Sequence, residues 1–217
     1  MEGRISLLRR AGIVSAGLLS LAALATAASS LLPRAIRLQG ATSSVALDDH
    51  GLLPEFSLVD HTGQTLSRES LEESVWIANF VFSRCAGQCP LLGNRMRELH
   101  AFFGQTPGVR LVSFSVDPQY DTPEILSTYA EQYGAKAPQW IFATGGKNAI
   151  LDLVQKGFRL GLSEEGSEAE PILHSLRLAL VDAQGHVRGY YDGSDEEAMR
   201  RLREDAQMLL TRSAQGA

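Results

Sequence analysis

Cys85 and Cys89 are the only cysteines in a chain of 217 residues. They stand in Phe82-Ser83-Arg84-Cys85-Ala86-Gly87-Gln88-Cys89-Pro90. On a helix this i to i+4 spacing places the two α-carbons about 6 Å apart. That distance is within reach of a disulfide. It equally lets two sulfurs converge on one metal ion. Thiolate is both the nucleophile and the metal ligand, and the unpaired N–H groups of a helix N-terminus favour it, so the loop predicts a lowered thiol pKa. A bridge closing so small a loop restricts the unfolded chain very little, so a purely structural disulfide explains the pair poorly. Two cysteines also exclude a disulfide scaffold and an all-thiolate zinc site.

The elements around this loop follow from hydrophobic periodicity. Phe56–Val59 alternates as a half-buried strand, Asp60–Gly63 is a turn, and Gln64–Leu66 returns, giving a β-hairpin extension at the front of the domain. Ser67 to Glu72 reads as a short helix. Val75–Phe82 is almost continuously apolar, the pattern of a strand covered on both faces. Pro90 to Phe103 repeats Leu91, Leu92, Met96, Leu99 and Phe103 at helical spacing. Val109–Val116 is a second buried strand. Thr122-Pro123 starts a helix that runs to about Tyr133. Trp140–Ala143 is a short strand and Lys147–Lys156 a helix. Leu176–Val181 and Val187–Tyr191 form a hairpin about Asp182–Gly185, and Ser194 with Glu197 makes a capping box for a last helix to about Leu210. Strand–helix–strand–helix, then hairpin and helix, predicts an α/β fold: a thioredoxin-like mixed sheet flanked by helices. The cysteines then sit on the loop after the first core strand, entering a helix.

Two thiols make an incomplete metal site. Of five histidines, His50, His61 and His186 fall in the linker or in turns and read as solvated. His100 lies eleven residues along the helix from Cys89, about 16 Å away and too far to share an ion with it. His174 directly precedes the strand 176–181, and the thioredoxin-like topology carries that loop beside the cysteines. Two sulfurs and an imidazole suit a soft or borderline ion. Copper(I) accepts such a set, whereas zinc wants a fourth ligand. Three ligands on a surface loop leave room for a partner's ligand to attack, which suits transfer rather than storage. The spacing of Met96 puts it in the core.

Three stretches resemble the SCO/SenC family, thioredoxin-like copper proteins of cytochrome c oxidase assembly. Asn79-Phe-Val-Phe-Ser-Arg-Cys85-Ala-Gly-Gln-Cys89-Pro90 is similar to its F-T-x-C-x-x-x-C-P. Val112-Ser-Phe-Ser-Val-Asp117-Pro118-Gln-Tyr-Asp121-Thr122-Pro123 is similar to its S-V-D-P-x-x-D-T-P. His174-Ser175 with Leu178–Gly185 is similar to its H-S-…-L-(I/V)-D-x-x-G. The resemblance runs from about Leu53 to Leu210. It implies Cys85, Cys89 and His174 as copper ligands, a Cys85–Cys89 disulfide in the oxidised form, and Asp117 as a supporting residue beside the site. Asp121 reads as helix capping. The family usually has Pro and often Asp after the first cysteine, where Ala86 and Gly87 stand here, and Thr is common at the position of Ser83. These departures loosen the loop and keep the ligand types.

The N-terminus reads as an address. Arg4, Arg9 and Arg10 precede an uncharged run from Ala11 to Leu32, which as a helix would span about 33 Å. Residues 1–32 are therefore expected to be a membrane anchor or, with Ala25-Thr26-Ala27 as a cleavage site, a signal peptide. Residues 33–52 read as a linker and 53–212 as the folded domain. Either reading of the N-terminus puts the domain on the extracytoplasmic, periplasmic side of the inner membrane, single-pass if anchored. Without residues 1–32 the net charge is −7, and no basic run exists that would suit a nucleic acid. The acidic loop 163–170 reads as a solvated insertion.

The expected function is a membrane-tethered copper chaperone that passes its ion by ligand exchange to the binuclear copper site of an oxidase subunit, with an upstream copper donor or thiol reductant as a further partner. The second reading is a thiol–disulfide oxidoreductase acting on cysteines of that subunit or of other exported proteins, with Cys85 and Cys89 as the redox pair. A thiol peroxidase is a weaker third, since it would need an activated cysteine with a nearby arginine, and Arg84 is adjacent in sequence.

Overall fold

The computed structural model describes residues 47–85, 89–104, 106–160 and 176–215. The expected anchor, most of the linker, the acidic loop and His174 lie outside them. Among the described residues no helix is long and apolar enough to cross a membrane.

Seven strands form one sheet. They are β1 (Ser57–Asp60), β2 (Thr65–Ser67), β3 (Val75–Val81), β4 (Val109–Ser115), β5 (Trp140–Thr144), β6 (Arg177–Val181) and β7 (Val187–Asp192). The spatial order is β2-β1-β5-β4-β3-β6-β7. β3, β4 and β5 run parallel, while β6 is antiparallel to β3, β7 to β6, β1 to β5 and β2 to β1. The helices are α1 (Cys89–Phe103), α2 (Pro123–Tyr133), α3 (Lys147–Asp152, continued by a π turn at Leu153–Gly157) and α4 (Glu196–Gln215). The predicted mixed sheet flanked by helices is the fold that forms.

The period-two alternation of β3 sorts its side chains into two cores. Val75, Ile77 and Val81 join Leu92, Met96 and Leu99 of α1, Leu126 of α2 and Leu202 of α4 on one face. Trp76, Ala78 and Phe80 join Phe114, Leu153, Val154 and Phe158 on the other. Every residue of β3 is buried, which explains its almost continuous apolar run, broken by Asn79 alone. Met96 is fully buried in the first core, as its spacing requires.

Several ends differ from the sequence reading, among them that of α4, which runs on past Leu210 to Gln215. The stretch 67–72 forms only a single 3-10 turn, Glu69–Leu71. α4 is capped by Asp195, whose carboxylate accepts the Glu197 N–H at 2.9 Å, rather than by Ser194. Ser194 instead turns back, donating its N–H and hydroxyl to Asp192 at 2.8 and 2.6 Å. That local Asx turn outcompetes the capping box and shifts the helix start by one residue. The last part of the expected linker is packed on the domain. His50 N–H donates to Val187 O, Val187 N–H to Gly51 O and Leu53 N–H to Gly185 O, at 2.9 to 3.0 Å.

Candidate metal centre

β3 delivers the chain to the cysteine loop at its C-terminal end. The Cys85 N–H closes a turn onto Phe82 O at 3.1 Å, and α1 begins at Cys89. The thiols are free and in hydrogen-bond contact with each other. Cys85 is half-buried and Cys89 buried.

The predicted lowering of the thiol pKa does not hold for Cys89. Burial pushes its thiol up to about 12; a hydrogen bond from the Phe82 backbone opposes this, and contact with Cys85 and the charge of Asp121 add to it. Desolvation of the charged form outweighs the helix terminus here. Cys89 is a neutral thiol at physiological pH, and any ion that binds it must displace its proton.

The β4–α2 loop supplies the surroundings. Asp117, predicted as a supporting residue, is buried and accepts from Arg84 through Nε and a terminal nitrogen, both at 2.7 Å. The same guanidinium lies 4.7 Å above the Tyr120 ring. Asp117 therefore holds the residue immediately before Cys85. Arg84 is engaged there, which removes the arginine that a peroxidase reading would use.

Asp121 is not the helix cap. Thr122 caps α2, its hydroxyl accepting the Ile125 N–H at 3.4 Å. Asp121 is fully buried and binds Ser83 and Ser115. The sequence signal was the position of both acids within Asp117-Pro118-Gln-Tyr-Asp121. What it did not show was that the loop folds back over the residues preceding Cys85.

The remaining histidines are accounted for elsewhere. His61 Nδ1 accepts the Phe142 N–H at 3.1 Å, His186 pairs with Asp49 at 3.1 Å, His50 packs on Tyr190 and His100 on Trp140. Of these, His50, His61 and His186 were expected in solvent and are instead half-buried against the domain. Among the described residues no third ligand gathers with the two thiols.

A sequence model of the SCO1/SenC family matches residues 22–209. The chain belongs to the SCO1/SenC family. Among its SCO1/SenC relatives, the SCO1 protein homolog of Bacillus subtilis is 31% identical over 140 residues, 64% of this chain and 72% of that protein. A Stutzerimonas stutzeri protein, provisionally described as copper-binding, is 33% identical over 144 residues, 64% of this chain and 68% of its own length. The fold is similar to that of BsSco, a protein with a disulfide switch and a member of the Sco family of cytochrome c oxidase assembly proteins. There the TM-score is 0.67 with 28% identity, covering 76% of this chain and 96% of that one. The family match spans the cysteine loop and the β4–α2 loop together with the sheet that joins them.

Proposed function

We propose that this SCO1/SenC protein carries copper(I) as cargo and delivers it to the binuclear copper site of cytochrome c oxidase during assembly. The observation that carries the reading is the contact between Cys85 and Cys89 at the mouth of the β3–α1 loop. Two reduced sulfurs in contact are a soft donor pair, which suits copper(I) and suits magnesium or calcium poorly. The half-buried Cys85 leaves a side from which an acceptor's ligand can approach. Membership of the family and the Stutzerimonas stutzeri relative support copper as the cargo; BsSco supports oxidase assembly as the setting.

In this reading Cys85, Cys89 and His174 hold the ion, with Asp117 supporting the loop. Residues 1–32 tether the domain to the inner membrane, facing the periplasm. Transfer proceeds by ligand exchange, each sulfur being replaced in turn by a donor of the acceptor, and no electron moves.

The test is the copper(I) content and affinity of the reduced full-length protein in detergent, measured by competition with a chromophoric copper(I) chelator. One ion per chain is expected. Cys85→Ser or Cys89→Ser should abolish tight binding, and His174→Ala should weaken it by about tenfold or more, at least the cost usual for losing a residue that only supports a ligand. A double Cys→Ser protein that holds copper as tightly as the parent would overturn the reading. A parent that binds no copper but exchanges its disulfide with glutathione would point to the oxidoreductase.

A further inference from the structure

Two carboxylates of the β4–α2 loop grip consecutive residues of the cysteine loop. Asp117 holds Arg84, partly in solvent; Asp121 holds Ser83 in the interior. The second contact is the more constraining. Asp121 is fully buried. Its oxygens accept the Ser83 N–H at 3.2 and 3.3 Å, the Ser83 hydroxyl at 2.5 Å and the Ser115 hydroxyl at 2.5 Å. The Ser115 hydroxyl also accepts the Asp117 N–H at 3.1 Å. A buried carboxylate is tolerated only when its lone pairs are filled, so the donors and the charge hold each other in place. The link joins the ends of two parallel neighbours, β3 and β4, at the point where the chain leaves β3 for Cys85. Only Arg84 then stands between the anchored Ser83 and Cys85. On the far side of Cys85, Ala86 and Gly87 offer no large or polar side chain to fix the loop.

We propose that Asp121 is a positioning residue of the cysteine pair: through Ser83 it fixes where Cys85 stands relative to Cys89. The hydroxyl at position 83 is the working part of the link, because it fills a lone pair that an alanine would leave empty. Alignment of the sulfurs sets two properties at once. One is how well both can bind a single copper(I) ion, which rests on the proposed copper-carrying role. The other is how readily they close a disulfide, which does not. The disulfide exchange is balanced by glutathione: the two thiols and one oxidised glutathione give the protein disulfide and two reduced glutathiones.

The experiment compares the full-length parent with Ser83→Ala, Ser83→Thr and Asp121→Asn. Copper(I) affinity is read by chelator competition and the dithiol–disulfide equilibrium in glutathione buffers. Ser83→Ala and Asp121→Asn should each shift both readouts by about threefold or more, as expected for loss of a hydrogen bond to a charged acceptor. Ser83→Thr, which restores the hydroxyl, should stay within about twofold of the parent. A protein held only for stability by this contact would lose thermal stability without moving the dithiol–disulfide equilibrium. The proposal fails if Ser83→Ala leaves both readouts at the parent's values, or if Ser83→Thr falls with Ser83→Ala. If Asp121→Asn does not fold, the pair at position 83 still decides. If the parent binds no copper, the copper-carrying role fails and the glutathione equilibrium alone decides the positioning role.

Discussion

The Arg84 guanidinium donates two of its nitrogens to one carboxylate oxygen of Asp117, both at 2.7 Å. The two residues are unequal: the Asp117 side chain is 9% exposed and that of Arg84 42%. Removing the arginine therefore leaves a buried carboxylate without its partner, while the arginine itself is easily rehydrated.

Arg84→Ala should lower stability by about 1 kcal/mol, the modest value reflecting the partial exposure of the pair. Arg84→Lys should recover only part of this, because an ammonium cannot reproduce the two-pronged fork or the stacking on Tyr120. Urea unfolding of the reduced protein checks both. An unchanged midpoint in Arg84→Ala would mean that the pair contributes nothing to holding the loop.

Copper(I) affinity should rise steeply with pH. With the Cys89 thiol pushed up to about 12, its proton must leave whenever the ion binds across the physiological range. Each proton released raises the apparent affinity about tenfold per pH unit. Chelator competition at several pH values between 6 and 8 should show at least that slope; a flat profile would remove Cys89 from the ligand set. The stability of the metal-free protein carries the opposite sign. A pKa raised in the folded state favours folding with the thiol protonated, so this contribution is intact below about 9 and is lost as pH climbs towards about 12.

Gly93 on α1 is a packing requirement. A Cβ placed there would lie 2.3 Å from Cε1 of Tyr133, the last residue of α2, and 2.4 Å from its Cζ. That ring is also packed against Tyr129 and Trp140, so it has neighbours to displace if it moves. Gly93→Ala should destabilise by about 1–3 kcal/mol despite the better helix propensity of alanine. A thermal melt at or above that of the parent would show that α1 and α2 can separate freely.

Asn79, in the middle of β3, is fully buried, and neither atom of its amide has a hydrogen-bond partner. Its strand neighbours on that face are Ile77 and Val81, both in the α1-side core. Asn79→Leu, which keeps the branched shape and the number of side-chain heavy atoms, should therefore be neutral or stabilising by up to about 2 kcal/mol, since it removes two unpaired polar atoms from an apolar site. Chemical denaturation decides it. A loss of stability would reveal a polar partner, such as an internal water, that the amide serves.

Much of the fold was legible because its signals are local. The nearly continuous apolar run of β3, the helical repeat from Leu92 to Phe103 and the Thr122-Pro123 start each depend on residues within a few positions of one another. The cysteine pair was legible as a pair from its spacing, but the helix begins only at Cys89, so the helical separation expected for it does not account for the contact. What the local pattern could not weigh was burial. The N-terminus of α1 predicts an acidic thiol at Cys89, yet the packed sheet end around it removes water and reverses the direction. Asp121 reads as a cap because a carboxylate before Thr-Pro commonly is one; it becomes the anchor of Ser83 only because β3 and β4 lie side by side and bring position 83 to position 121. The chain alone determined which groups are available for chemistry and which strands carry them. Their distances, their charge states and the residues that hold them in place were decided by tertiary packing, because desolvation and long-range hydrogen bonds depend on neighbours far away in sequence.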